Sequence, residues 1–138
     1  MILLDTTVLS YAVGDDHVLR AACRRLLKAH LNGEIQAVTT VEVIQEFAHV
    51  RSRRRPRADA VAVARQYAAL LPQLATDGLD LQLGLTLYES HRRIGAFDAV
   101  LAAVALNRRL DIASADRAFG SVPGLRWLDP ASAVTPPS

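Results

Sequence analysis

Two spacings of apolar residues alternate along this chain. Short, largely apolar runs at residues 2–4, 35–39, 110–114 and 125–128 predict buried strands, and 73–76 predicts a weaker one. Between them the apolar positions fall at helical spacing. A short helix over 5–13 is closed by Gly14. Val18, Ala21, Ala22, Leu26 and Ala29 mark the next, with Asp15 or Asp16 offered as its N-cap and Asn32-Gly33 as its stop. Thr40 caps a helix over 41–51 whose Val43, Phe47 and Val50 form one stripe. Pro56 suits the start of a helix that runs to about residue 71. Asp77 or Asp80 opens another, carrying Leu83, Leu87 and His91 and ending near Gly95. Residues 97–106 form the most apolar helix, and 115–120 a turn with a short helix. Strands alternating with helices predict an α/β fold, a three-layer α/β/α arrangement with a central, mostly parallel sheet of four to five strands. One domain over 1–134 is expected, with a frayed Pro-rich tail at 135–138.

Composition narrows the chemistry. The single cysteine, Cys23, excludes an internal disulfide and a cysteine-based zinc site, and its helical context predicts a buried, inert thiol. No apolar run reaches the ~18 residues of a membrane span, and the N-terminus has no positive n-region, so a cytoplasmic protein is expected. The four histidines, His17, His30, His49 and His91, lack metal-ligand spacing and read as ordinary surface or core residues. A Gly-Lys-Ser/Thr run is absent, which excludes a P-loop. The only lysine, Lys28, sits in mid-helix, which fits a phospho-acceptor receiver domain poorly.

The remaining chemistry is acidic. Asp5 follows the first strand directly, and Asp116 follows the strand ending at Ser114 by two residues. In an open parallel sheet ligands bind beyond the carboxyl ends of the strands. A crossover helix starts at that same edge, where Asp98 opens one helix and Glu46 lies in the second turn of another. Glu42, one turn earlier, shares a face with Glu46. Taken singly, each acid has an ordinary explanation as a cap, a turn former or a solvated helix residue. Taken together, Asp5 at the end of an apolar strand and Asp98 between Phe97 and Ala99 need a compensating charge. No lysine lies at these positions and no arginine adjoins Asp5 or Asp98, which leaves a divalent cation. Oxygen-only ligands favour Mg²⁺ or Mn²⁺ over zinc. With four acids gathered in one site, 16 basic residues face the 10 other acids, a net +6 elsewhere that suits a polyanionic substrate.

The blocks carrying these acids resemble those of PIN domains, and more narrowly of VapC toxins from bacterial type II toxin–antitoxin systems. Asp5-Thr6-Thr7-Val8-Leu9 is similar to the family's opening Asp-Thr-Ser/Asn-Val-Leu, with Thr7 in place of the usual Ser or Asn. Residues 39–47 resemble its second block, a hydroxyl residue leading into a helix with a glutamate. Residues 97–103 resemble the third, and Ser114-Ala115-Asp116-Arg117-Ala118-Phe119 the fourth, a Ser/Thr-x-Asp-x-x-Phe pattern. Leu128-Asp129-Pro130 is similar to a common closing strand and turn. The resemblance covers nearly the whole chain.

What it implies is a Mg²⁺-dependent endoribonuclease, with Mn²⁺ as an alternative ion, acting on tRNA or other structured RNA. Asp5, Glu46, Asp98 and Asp116 would be catalytic, and Asp5, Asp98 and Asp116 would hold the metal. Thr6 and Ser114 would be secondary polar contacts. In the family the glutamate lies six residues after the hydroxyl that opens the helix. Counting from Thr40 gives Glu46, and Glu42 is kept as a secondary residue beside it. The resemblance also implies a homodimer and a VapB-like antitoxin, with no membrane contact. The basic run Arg51, Arg53, Arg54, Arg55 and Arg57 either grips RNA phosphates or is a solvated helix end. The rival reading is a catalytically silent PIN-like module that binds RNA or protein.

Overall fold

The computed structural model describes residues 1–132, so the tail expected at 135–138 lies outside the described residues. Among them the elements run β1 (Ile2–Leu4), α1 (Thr6–Val13), α2 (Arg20–Leu31), β2 (Ala37–Thr40), α3 (Val41–Ser52), α4 (Arg57–Leu70), β3 (Gln73–Leu74), α5 (Gly78–Ser90), α6 (Ala96–Arg108), β4 (Asp111–Ala113) and β5 (Trp127–Leu128), with a 3₁₀ turn at Arg117–Ser121. The strands form one five-stranded sheet, in the order β3-β2-β1-β4-β5, and every pair is parallel.

This order fixes where a site can form. The chain moves outward from β1 to β2 to β3, then crosses back to β4 and moves outward again to β5. Right-handed crossovers therefore put α1–α4 on one face and α5 and α6 on the other. Two packing groups agree with this: α1 packs on α2 and α3, and α3 on α4, while α5 and α6 pack as a pair. The strand order reverses between β1 and β4, which is the switch point where open α/β sheets leave a crevice. All residues of β1 and β2 are buried, as expected for strands covered on both faces.

Several helix boundaries have local causes. Thr40 is buried and caps α3, its hydroxyl accepting from Val43 N–H at 3.2 Å. Asp77 caps α5 through a reciprocal capping box with Asp80. Burial alone would raise the Asp80 carboxyl. The Arg108 guanidinium, the Asp77 N–H and the Asn107 amide instead hold it at about 2. Asp15 and Asp16 do not cap α2, which begins only at Arg20 with no side-chain cap. Asp15 is taken by Arg55 at 2.9 Å, and the turn before α2 is closed by His17 Nδ1, which accepts from Leu19 N–H at 3.1 Å. The second strand starts two residues later than its apolar run, because Ile35 N–H still bonds back to Ala29 at the end of α2.

Two side chains stitch the first face together. The Tyr67 hydroxyl donates to the Leu9 carbonyl at 2.7 Å, tying α4 to α1. His30 Nδ1 accepts from Ala37 N–H at 3.0 Å while its Nε2 reaches the Leu70 carbonyl at 3.1 Å, linking α2, β2 and the end of α4. Cys23 is buried, and burial with the nearby Asp129 pushes its thiol up to about 11, which makes it inert.

On the other face the α5–α6 contact depends on Gly84. A Cβ built there would lie 2.7 Å from Val100 Cα, so the helices would have to separate. Gly→Ala inside a helix ordinarily stabilises by about 1 kcal/mol. At Gly84 the sign reverses, and Gly84→Ala is expected to destabilise by about 1–3 kcal/mol in urea unfolding. An unchanged or raised midpoint would show that the helix pair yields without cost.

Candidate active site

The β1–β4 register builds the centre of the site. Leu4 pairs with Ala113, so the next residues, Asp5 and Ser114, emerge side by side at the switch point. Asp5 N–H donates to the Ala113 carbonyl at 3.1 Å. The Asp5 carboxylate does not cap α1, although Asp5 stands at its N-cap position. Its Oδ2 accepts instead from Ser114 Oγ at 2.6 Å and from Thr7 Oγ1 at 3.0 Å. Each hydroxyl is held from behind by a backbone N–H. Ala115 donates to Thr7 Oγ1 and Asp116 to Ser114 Oγ, both at 2.9 Å. With its one hydrogen directed at Asp5, each hydroxyl fixes the carboxylate's orientation. Asp5 is 3% exposed, and burial raises its carboxyl against the pull of the Ser114 hydroxyl, the Thr6 and Thr7 N–H groups and the Thr7 hydroxyl.

The third acid arrives on α6. Asp98 lies in its first turn without capping it. Burial first, then the charges of Asp5, Glu46 and Asp116, push its carboxyl up to about 7. Asp98 thus lies within electrostatic reach of the other three acids, which come from the end of β1, from α3 and from the turn after β4. Asp116 is exposed and anchored by its own backbone, Oδ1 accepting from Ala118 N–H at 2.9 Å.

The two glutamates of α3 part company. Glu46 lines a cleft with Thr6, Thr7, Ser10, Tyr11 and His17. Glu42 accepts a hydrogen bond from the Thr76 hydroxyl and lines a separate cavity between α5 and α6. It is therefore not a secondary residue of the acidic site. Thr6 is also not the polar contact that its position suggests. Its Oγ1 is buried without a partner, and Thr7 takes that role with Ser114.

The arginine run divides as well. Arg51 is structural: Nε pairs with Asp59, and Nη1 donates to the Val13 carbonyl at 3.1 Å. Arg55 holds Asp15, and Arg53 reaches His49 Nε2 at 3.2 Å. Arg54 lines the Glu46 cleft and has no side-chain partner among the described residues. Arg57 is exposed at the start of α4, outside that cleft.

This donor set fits a hard divalent cation in its chemistry. It is all oxygen, and no described ion pair involves Asp5, Glu46, Asp98 or Asp116. A proton held by Asp98 near neutral pH marks the same uncompensated charge. Among the described residues no three His, Cys, Asp or Glu side chains close around one coordination point.

Comparison with known proteins gives the chain a family. A family model described as PIN domain matches residues 2–125. The chain is 46% identical over 125 residues to Ribonuclease VapC7 of Mycobacterium tuberculosis, covering 88% of this chain and 86% of that protein. Among solved structures it is similar to VapBC2 from Rickettsia felis bound to a promoter DNA fragment, with TM-score 0.75, 15% identity and coverage of 93% and 98%. It is also similar to a toxin–antitoxin complex from Klebsiella pneumoniae, with TM-score 0.71, 15% identity and coverage of 94% and 98%. At such identities the structural likeness bears on the fold alone.

Proposed function

The chain belongs to the PIN domain family, and from that premise we propose that this VapC-type ribonuclease is a toxin that cuts tRNA or other structured RNA with Mg²⁺, or Mn²⁺ in its place, in the cytoplasm. The observation that carries the reading is that Asp98 feels the charges of Asp5, Glu46 and Asp116 at the switch-point edge while none of the four is ion-paired to Lys or Arg among the described residues. Asp5, Asp98 and Asp116 would hold the ion, which when bound supplies activation of a water and stabilisation of the leaving oxygen of a phosphodiester. Ser114 and Thr7 keep the Asp5 carboxylate in one orientation. Glu46, which lines the cleft, would orient the attacking water and take its proton. All four acidic positions are filled, which speaks against a silent binding module.

Two partners belong to this reading. A small VapB-like antitoxin would hold the enzyme in check. A second copy of the chain would cover the outer side of α5, where Leu79, Leu81, Leu85 and Tyr88 are exposed. No helix among the described residues is long and apolar enough to cross a membrane.

The test is cleavage of tRNA and other structured RNA by the purified chain, whose mass in solution reports dimerisation in the same preparation. Cleavage is expected with Mg²⁺ or Mn²⁺, to stop in EDTA and to return when metal is restored. Cleavage that continues in EDTA would overturn the metal dependence. RNA that is bound but never cut, with metal present, would favour the silent module.

A further inference from the structure

The cleft that opens from Thr7 and Glu46 has features that cleavage chemistry does not use. Its volume is about 450 Å³, within the range of small-ligand sites. Tyr11 and His17 line it as a stacked pair, with ring centroids 4.2 Å apart and planes 18° from parallel. The pair is held in place before any ligand arrives. His17 Nδ1 accepts from Leu19 N–H, which in the neutral ring leaves the proton on Nε2. The carbonyls of Ala12 and Val13, just after Tyr11, are occupied by Arg24 and Arg51, and Arg55 ties Asp15 to the turn between α3 and α4.

The polar groups around this pair are unspent. His17 Nε2, the Tyr11 hydroxyl and the Arg54 guanidinium have no hydrogen-bond partner among the described residues. A flat aromatic surface and a guanidinium without a partner among the described residues, beside a phosphodiester-cleaving centre, match one ligand class. Single-stranded nucleic acid is bound by stacking its bases on aromatic rings and pairing its phosphates with Arg.

We propose that this cleft is a nucleotide subsite for the residue flanking the cut phosphodiester, its base extending the Tyr11–His17 stack and its phosphate held by Arg54. The assignment rests on the ribonuclease reading and adds to it a preference for an unpaired base next to the cut. Asp15, Asp16 and Glu46 share the cleft with four arginines, so the phosphate falls to Arg54, the one of the four without a partner among the described residues.

Equilibrium binding separates the subsite from the chemistry. Labelled single-stranded RNA, either intact or abasic at successive positions, is titrated by anisotropy into the Asp98→Asn chain in EDTA. Intact RNA is expected to bind about tenfold tighter than RNA abasic at the subsite position. Tyr11→Ala should erase that preference and Tyr11→Phe retain it. His17→Ala should reduce it, and because His17 also closes the turn before α2, its melting temperature is measured alongside. Arg54→Ala should weaken both RNAs alike and lower the slope of log affinity against log salt by about one. Thermal melting confirms that each variant is folded. If Tyr11→Ala and His17→Ala keep the base preference while the parent chain with Asp98 intact cleaves normally with metal, the subsite is wrong and the nuclease stands. If the two variants release a co-expressed protein partner and leave RNA binding intact, the cleft is a protein-docking site and the proposal is overturned. Absence of both RNA binding and cleavage by the parent chain overturns the subsite and the nuclease together.

Discussion

Asp98→Asn is expected to lower the rate of RNA cleavage by about a thousandfold or more, while Glu42→Gln leaves it within about twofold. Asp98 is the acid on which the other three act, through burial and through the charges of Asp5, Glu46 and Asp116. An amide there keeps the shape but cannot ionise, so one hard oxygen ligand is lost where charge must be stabilised. Asp5→Asn should cost as much, since Ser114 and Thr7 aim their hydroxyls at a carboxylate that the variant lacks. Ser114→Ala leaves all four acids in place and loosens only Asp5, and a loss of about 10–100-fold is expected, typical of groups that orient a ligand. Glu42 provides the contrast, because its carboxylate is engaged by Thr76 at another cavity. Single-turnover cleavage at fixed metal concentration ranks the variants. Equal loss in Glu42→Gln and Asp98→Asn would mean that the acids act through general charge and not through this site.

The legible part of the site is the part written in local pattern. Asp5 stands immediately after an apolar strand, and Asp116 follows the Ile112-Ala113-Ser114 run, so the sheet-edge rule found both. The α/β alternation gave the class and the parallel sheet. What local pattern did not carry is anything decided across the fold. Glu42 and Glu46 lie one turn apart, and only the neighbours Thr76 and Thr7 separate them. Thr7 stands in the sequence where Ser or Asn is usual. Its use depends on contacts to Ser114 and Ala115, more than a hundred residues away. Arg51 stands in a basic run like its neighbours, and its pairing with Asp59 and the Val13 carbonyl has no sequence signal. His30 is the same case, since a histidine bridging two backbone groups from separate elements has no spacing to betray it. The switch point between β1 and β4 required the strand order, which no single strand encodes.

The same Asp98→Asn substitution should make the metal-free protein more stable at pH 8, by about 2–4 kcal/mol, and have little effect near pH 4. The sign follows from the direction of the shift. Unfolded, the Asp98 carboxyl has its ordinary value of 3.8, and in the fold it is pushed up to about 7. Between these values the folded chain holds a proton that the unfolded chain has released, so stability falls as pH rises across that window. Above about pH 7 the carboxylate is charged in both states and the full penalty is present. Asparagine never ionises, so the variant escapes the penalty, and the two proteins converge below about pH 4. For a chain of this size the gain corresponds to a rise in melting temperature of roughly 10 °C at pH 8. Divalent metal should reverse the ranking. An ion that binds the folded parent offsets the repulsion among the four carboxylates and adds stability with its concentration, as any ligand of the native state does. The variant, short of one ligand, should gain much less from the same ion. Melting curves at pH 4 and pH 8, each with EDTA and with Mg²⁺, test both halves without reference to RNA. A variant less stable than the parent at pH 8 in EDTA would show that Asp98 is balanced in the fold by something other than a missing cation. The site would then be a structural cluster, and the loss of cleavage in the same variant would have to be explained by misfolding. If the expected inversion is seen, the site is one where folding stability is given up for an arrangement of charge that only a bound ion completes.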